Sequence, residues 1–257
     1  MTAYFERLDA HRYRATPAVG GGWNPAEQHV APSLGLLVHA VERELARRGS
    51  GGARLARLSF DILGPYAIGD VEIAVTTIRP GRTIELVEAT LAHGGRTAIV
   101  LRAWLMQTSD TSAIAGADHL PLPPLEGLEA WEPSSIWAGE FVRTVDVRRE
   151  HIAPGRSRFW LRPRLALVAD EEVSDTARLI GVIDVANGVT PRAHPQELAF
   201  PNLDVTVHLI DDPVGEWIGC DTVVGFGRTG TGLTHTVLHD RRGPVGTSDQ
   251  ILTLRAR

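Results

Sequence analysis

The feature that most constrains the fold of this chain is one order of elements that occurs twice. In the first half, residues 32–48 carry apolar side chains at helical spacing, and four β-rich runs follow, at 56–63, 71–77, 83–92 and 97–106. In the second half, residues 174–188 form the apolar helical segment, and four β-rich runs follow, near 203–210, 216–225, 231–239 and 245–254. Because a lone antiparallel sheet would leave an apolar face exposed, each helix is expected to be covered by its own sheet.

Short similar sequences at corresponding positions of the two halves indicate a duplication, for example Gly69-Asp70 and Gly215-Glu216. Between the halves the periodicity is lost, and prolines occur at Pro121, Pro123, Pro124 and Pro133. Such a stretch is typical of an extended connector. The sequence therefore predicts an amino-terminal unit over 1–115, a connector over 116–138 and a carboxyl-terminal unit over 139–257.

Composition narrows the functional classes. With 257 residues, 43% of them hydrophobic, the chain is long enough for two units with real cores. The formal charge of −5 gives no basic face for a nucleic acid. The amino-terminal segment has no signal-peptide core, no run approaches the roughly 20 apolar residues of a membrane span, and Cys220 is the single cysteine. We expect a cytoplasmic protein with no nucleic-acid partner, no metal and no cofactor.

Polar residues stand out in two apolar settings. The second helix is apolar almost all round, yet Asp184 and Asn187 share one of its faces at i, i+3 spacing. They either hold the helix through local hydrogen bonds or line a site. On the last β-rich run, strand periodicity puts Gln250 on the same face as Leu252, which predicts a buried amide that needs partners.

The order of three pieces in the second half resembles the acyl-CoA thioesterase II family, the double-hotdog thioesterases. These pieces are Phe200-Pro201-Asn202-Leu203-Asp204, Gly215-Glu216-Trp217 and Ser248-Asp249-Gln250. The resemblance implies an α+β double hotdog, in which two antiparallel sheets each wrap around a central helix. It also implies hydrolysis of acyl-CoA thioesters to free acid and coenzyme A, with acyl-CoA as the partner. A homo-oligomer is left open.

The resemblance further implies roles for individual residues. Asp204 is expected to activate the attacking water and Gln250 to hold it. Counting from Glu216-Trp217, the hydroxyl residue of the family falls on Gly225, which has no side-chain donor, and Thr222 is a nearby substitute. Asp184, Asn187, Thr222 and Gly225 are the expected substrate-binding residues, in a cleft between the units beside the second helix. Strand alternation leaves the direction of Asp204 open, because Val205 and Val207 share the other face.

Three functions remain possible from the sequence. The first is hydrolysis by water activated at Asp204. The second is a catalytically weak or inactive acyl-binding or acyl-CoA-binding protein, which Gly225 favours. The third is hydration of an enoyl thioester, which needs an Asp and His pair that the sequence does not locate. His29 is either a capping residue or part of a site across the interface, and Arg228, Arg241 and Arg242 are candidate contacts for a coenzyme A phosphate.

Overall fold

A computed structural model describes residues 2–49 and 52–257. In that part of the chain the α-helices are α1 (Val30–Arg47), α2 (Glu140–Arg143), α3 (Asp175–Ile183) and α4 (Ala186–Val189). The strands of the first half are β1 (Ala3–Arg7), β2 (Arg12–Ala15), β3 (Ala53–Ile62), β4 (Asp70–Arg79), β5 (Ile84–His93) and β6 (Arg96–Gln107). Those that follow are β7 (Glu129–Trp131), β8 (Val145–Ala153), β9 (Arg156–Pro163), β10 (Ala166–Val168), β11 (Leu198–Ala199), β12 (Asp204–Leu209), β13 (Ile218–Phe226), β14 (Thr231–Asp240), β15 (Gly243–Thr253) and β16 (Arg255–Ala256).

Fourteen of these strands form one sheet, in the order β10-β1-β2-β4-β5-β6-β3-β12-β15-β14-β13-β9-β8-β7. The halves meet at its centre, where β3 and β12 pair antiparallel with Ser59 opposite Thr206. The sheets of two hotdog units are thus joined edge to edge, and the predicted α+β double hotdog is confirmed.

The two long helices pack against each other inside this sheet. On α1 the side chains of Leu34, Leu37, Val38 and Val41 are fully buried, as the helical periodicity predicts. The helices approach most closely at Gly35, where a Cβ atom would lie 2.7 Å from the carbonyl oxygen of Ala177 and 2.7 Å from the Cα of Gly181. A residue without a side chain is therefore required at this crossing.

The start of α1 differs from the predicted one. The helix begins at Val30 rather than at Pro32, and the ring of His29 caps it by accepting a hydrogen bond at Nδ1 from the backbone N–H of Ala31, at 3.2 Å. Ser33 is buried within the helix. Pro32 is tolerated there because the N–H groups of the first turn have no partner inside the helix.

The second central helix, predicted to run without interruption over 174–188, is broken. It ends at Ile183 and resumes at Ala186, so that Asp184 and Val185 lie in the break. The amide Nε2 of Gln250 donates a hydrogen bond of 3.2 Å to the backbone carbonyl oxygen of Asp184. A strand residue thus satisfies a polar group of the helix break.

The segment between the halves carries some structure of its own. Within the predicted connector, β7 pairs with β8 at one edge of the sheet. At the other edge β10, from the second half, pairs in parallel with β1. Phe141 lies in α2, and the strand β8 begins at Val145. The unit boundaries 1–115, 116–138 and 139–257 stay a prediction.

Candidate active site

A cavity of about 470 Å³ opens between the two halves of the molecule. Its deep wall is apolar and buried, and it is formed by Trp137, Val142, Val145, Val147, Val185 and Val189. Its mouth is formed by the exposed residues Asn24, Leu63, Pro65, Leu203, Arg255 and Arg257. A mostly apolar cleft with a few polar groups is the usual form of a small-molecule site.

Asp184 is the buried carboxylate of this cavity, with 5% of its surface exposed. Its Oδ1 accepts hydrogen bonds from Nδ2 of Asn202 at 2.7 Å and from Nε2 of Gln250 at 3.1 Å. Burial raises the pKa of Asp184 to about 6, although the hydrogen bonds from Asn202 and Gln250 act to lower it. The carboxyl group is therefore mostly ionised at neutral pH, and its pKa is close to the working pH, where a general base is most effective.

His29 reaches the same carboxylate from the other half of the chain. Its Nδ1 lies 3.7 Å from Oδ2 of Asp184, and the ring packs on Phe141 with a centroid separation of 4.5 Å. Because Nδ1 accepts the N–H of Ala31, the ring proton of the neutral form is on Nε2. Burial lowers the pKa of His29 to about 4, so the imidazole is neutral at physiological pH. The capping role and the position at the site, posed as alternatives, occur together.

The predicted burial of Gln250 is confirmed, since 1% of its surface is exposed. Opposite it on β14 lies Thr234, which is fully buried and faces the same side of the sheet. Oγ1 of Thr234 and Oε1 of Gln250 are both buried without a protein partner among the described residues. The sequence analysis did not select Thr234 or Asn202. Thr234 could have been found from the alternation of β14, which places it on the buried face. Asn202 lies in the motif that carried the resemblance.

The predicted convergence of Asp204 and Gln250 on one water is wrong. The strands β12 and β15 pair with Thr206 opposite Asp249, which puts Val205 opposite Gln250. Val205 and Gln250 face the interior, so the pleat turns Asp204 to the outer face of the sheet. There its Oδ1 accepts the backbone N–H of Ile251 at 2.7 Å. Asp204 therefore holds an outer strand position and does not face the cavity.

The four expected substrate-binding residues separate into two pairs. Asp184 and Asn187 line the cavity. Thr222 and Gly225 do not appear among the described residues of its wall. Thr222 shares a hydrogen bond of 3.0 Å with Thr236 in the interior, and Gly225 is exposed on the outer face of β13, two positions after the outward-facing Val223. The structure therefore corrects their expected place at the site, because the alternation of the strand puts Thr222 in the interior and Gly225 on the outer face.

Residues 2–49 and 52–257 are the part of the chain that the structure describes. They contain no group of three or more His, Cys, Asp or Glu side chains placed to hold a metal ion. They also contain no helix that is both long enough and apolar enough to cross a membrane.

Comparison with known proteins adds independent information. The model of the "Acyl-CoA thioesterase N-terminal domain" matches residues 19–106, and that of the "Acyl-CoA thioesterase C-terminal domain" matches residues 117–254. A comparison with curated proteins gave no significant match.

Solved structures share the fold over nearly the whole chain. A provisionally assigned thioesterase from Novosphingobium aromaticivorans is 18% identical, covers 98% of this chain and 99% of its own, and has a TM-score of 0.76. A hot dog protein of unknown function from Alicyclobacillus acidocaldarius is 13% identical, with 98% and 96% covered and a TM-score of 0.77. The acyl-CoA thioesterase II TesB2 from Mycobacterium marinum is 17% identical, with 98% and 96% covered and a TM-score of 0.66. Since the carboxyl-terminal family model alone spans more than half of the sequence, the chain belongs to the acyl-CoA thioesterase family and is a thioester hydrolase.

Proposed function

We propose that the protein hydrolyses acyl-CoA thioesters to free acid and coenzyme A by a water molecule that Asp184 activates. The observation that carries this proposal is the buried carboxylate of Asp184 in the wall of an apolar cavity, with one oxygen held by two amides. The other oxygen, Oδ2, is then available to a water molecule in the cavity. This assigns to Asp184 the role that the sequence suggested for Asp204, and it keeps Gln250 at the site.

The reaction needs a base for the water and donors for the thioester oxygen. Oδ2 of Asp184 takes a proton as the water oxygen bonds to the carbonyl carbon, and a tetrahedral oxyanion forms. The carbon–sulfur bond then breaks, and the thiolate of coenzyme A takes up the proton held by Asp184. Free acid and coenzyme A leave, and the carboxylate is restored.

The neighbouring side chains have separate roles in this scheme. Asn202 and Gln250 fix the orientation of the carboxylate through Oδ1, which positions Oδ2 for the water. The neutral ring of His29 carries its proton on Nε2 and supplies a donor for the oxyanion. A neutral imidazole is suited to this role because it does not neutralise the base by forming an ion pair with it.

The test compares two aspartates of the same half. Asp184→Asn is expected to fold and to lower turnover by a factor of about 10² to 10⁴, the usual contribution of a positioned base. Asp204→Asn is the matched control, and its turnover is expected to stay within about twofold of the wild type. Release of coenzyme A from a panel of acyl-CoAs is measured with a thiol reagent, and circular dichroism checks the fold.

Wild-type turnover by a folded Asp184→Asn protein would remove Asp184 from the mechanism. If the wild-type protein binds acyl-CoAs but releases no thiol from any of them, the catalytically weak acyl-binding protein is the correct alternative.

One observation favours a second candidate, hydration of an enoyl thioester. The Asp and His pair that this reaction needs is present, since Nδ1 of His29 lies 3.7 Å from Oδ2 of Asp184. An enoyl-CoA separates the two reactions. Hydration removes the absorbance of the conjugated double bond and releases no thiol, whereas hydrolysis releases thiol and leaves the double bond intact.

A further inference from the structure

Two arginines of the carboxyl-terminal segment stand at the mouth of the cavity. Arg255 and Arg257 both line it and are both exposed. They are separated by one residue in an extended segment, so their side chains leave the backbone on the same side. Two guanidinium groups on one side of a cavity mouth form a place where an anion can bind.

The segment that carries them is fixed in position. Strand β16 pairs with β11, with Arg255 opposite Ala199. The backbone N–H of Arg257 donates to the carbonyl oxygen of Glu197 at 3.3 Å, and its guanidinium carbon lies 5.1 Å from the centre of the Trp23 ring. Backbone pairing and a cation–π contact thus hold both arginines beside the opening.

Neither arginine is neutralised by an ion pair among the described residues. The earlier candidates for a phosphate contact differ in this respect, because Arg241 pairs with Glu126 and Arg242 pairs with Asp240. Arg228 lies on an exposed turn and does not line the cavity. Among the described residues that line the cavity, Glu27 and Asp184 are the acidic side chains, and Arg255 and Arg257 are the cationic ones.

We propose that Arg255 and Arg257 form an anion site that binds the phosphate groups of the nucleotide end of coenzyme A, while the acyl group enters the apolar interior. This inference rests on the proposed function, since it places the thioester at Asp184. The deep wall is apolar and offers no partner for a phosphate, whereas the mouth offers two guanidinium groups. The site selects thioesters of a phosphorylated carrier over neutral thioesters of the same acid.

The experiment uses two substrates with the same acyl group, an acyl-CoA and the corresponding acyl-N-acetylcysteamine, which carries no phosphate. The double variant Arg255→Gln/Arg257→Gln is expected to lower kcat/KM for the acyl-CoA by about tenfold to a hundredfold, through the loss of charge-assisted hydrogen bonds. For the neutral substrate kcat/KM is expected to stay within about twofold. Added salt is expected to reduce the difference between wild type and variant, because it screens exposed charges.

The control is Arg82→Gln/Arg192→Gln, which removes the same charge from two exposed bends outside the cavity. This variant is expected to behave as the wild type with both substrates. Equal losses on both substrates for the Arg255 and Arg257 variant would overturn the proposal, as would no loss with the acyl-CoA.

Binding of adenosine 3′,5′-bisphosphate, measured by calorimetry, tests the same site without turnover. The wild type is expected to bind it at least about tenfold more tightly than the Arg255→Gln/Arg257→Gln variant. Equal affinities would contradict the anion site even if the protein hydrolyses thioesters. Tight binding by a wild type that hydrolyses neither substrate would instead contradict the proposed function and leave the anion site supported.

Discussion

The two halves of the molecule share one architecture but differ at the positions that form the candidate site. We place the pseudo-twofold axis that relates the halves between Ser59 and Thr206, which are partners at the centre of the sheet and 147 residues apart, close to the 146 residues between Gly69 and Gly215. Their next neighbours, Arg102 on β6 and Asp249 on β15, correspond under this axis. One residue further along, Gln250 corresponds to Ala103, which is fully buried. The first half therefore has a methyl group where the second half has an amide.

The central helices show the same contrast. They cross where Gly35 meets Gly181, and three residues beyond each glycine lie Val38 and Asp184. Val38 is fully buried, as Asp184 nearly is. The first half thus buries valine and alanine where the second half buries a carboxylate and its amide partner.

The polar pair belongs to the candidate site rather than to the fold. A hotdog unit is stable with an apolar interior at these two positions, so the polar pair is not needed for the architecture. Burying a carboxylate costs free energy unless it has hydrogen-bond partners, which explains why Asp184 occurs together with Asn202 and Gln250. The helix that carries Asp184 is also broken at that residue, whereas α1 continues through Val38 without a break.

The largest expected effect comes from giving the second half the residues of the first. The double variant Asp184→Val/Gln250→Ala should lose hydrolysis by at least about 10²-fold, because it has no base. Its free energy of unfolding should stay within about 2 kcal/mol of the wild-type value, since an apolar replacement of a buried charge offsets the lost amide contacts. Activity is measured by thiol release and stability by urea denaturation. Retained activity would show that the contrast between the halves is unrelated to function.

The pH dependence of turnover sharpens the role of the amide partners. Because the base must be ionised, kcat/KM should fall as the pH drops through the pKa of Asp184, which is about 6. Hydrogen bonds from Asn202 and Gln250 lower this pKa, so Gln250→Ala should move the midpoint to higher pH. Asp204→Asn is the control and should leave the midpoint unchanged. A midpoint that does not move in Gln250→Ala would argue against its contact with the base.

The helix crossing gives a smaller effect that differs between the halves. A Cβ atom on Gly35 would lie 2.7 Å from the carbonyl oxygen of Ala177, so Gly35→Ala should lower the free energy of unfolding by about 1–3 kcal/mol. A Cβ atom on Gly181 would find no atom nearer than the Cα of Gly35 at 3.7 Å, so Gly181→Ala should change it by no more than about 1 kcal/mol. Urea denaturation measures both. Equal losses would mean that the crossing is symmetric.

Much of the fold follows from local sequence patterns. The helix over residues 32–48 and the buried direction of the Gln250 side chain can each be predicted from neighbouring residues. Both predictions are confirmed. The direction of Asp204 depends on which residues of β12 and β15 lie opposite each other. These strands are far apart in the sequence, so local patterns do not set their register. The same limit applies to His29, whose contact with Asp184 depends on how two units pack. Sequence identified Asp184 as an unusual residue, but only the break between α3 and α4 shows how it reaches the cavity.

The smallest expected effect concerns a half-buried carboxyl of the first half, Glu42. The hydroxyl of Ser174, the residue that caps α3, lies 2.7 and 2.8 Å from the two carboxylate oxygens of Glu42 and donates one hydrogen bond that they share. Asp184 similarly lies beside His29, the cap of α1. Burial raises the pKa of Glu42 to about 7. Glu42 is half-buried at the edge of the helix pair and does not line the main cavity.

A raised pKa means that the folded protein holds a proton that the unfolded chain has already lost, so this contribution to stability is complete below the ordinary pKa of glutamate. It should disappear as the pH rises from about 4.5 through about 7. Glu42→Gln should therefore flatten the fall in the free energy of unfolding over this range, by on the order of 1–2 kcal/mol once partial exposure is allowed for. Urea denaturation of the wild type and the variant at several pH values measures this effect. The contribution of Asp184 is the same in both proteins and cancels in their difference. Turnover should be unchanged, and a loss of activity in Glu42→Gln would show that the first half contributes to catalysis beyond His29.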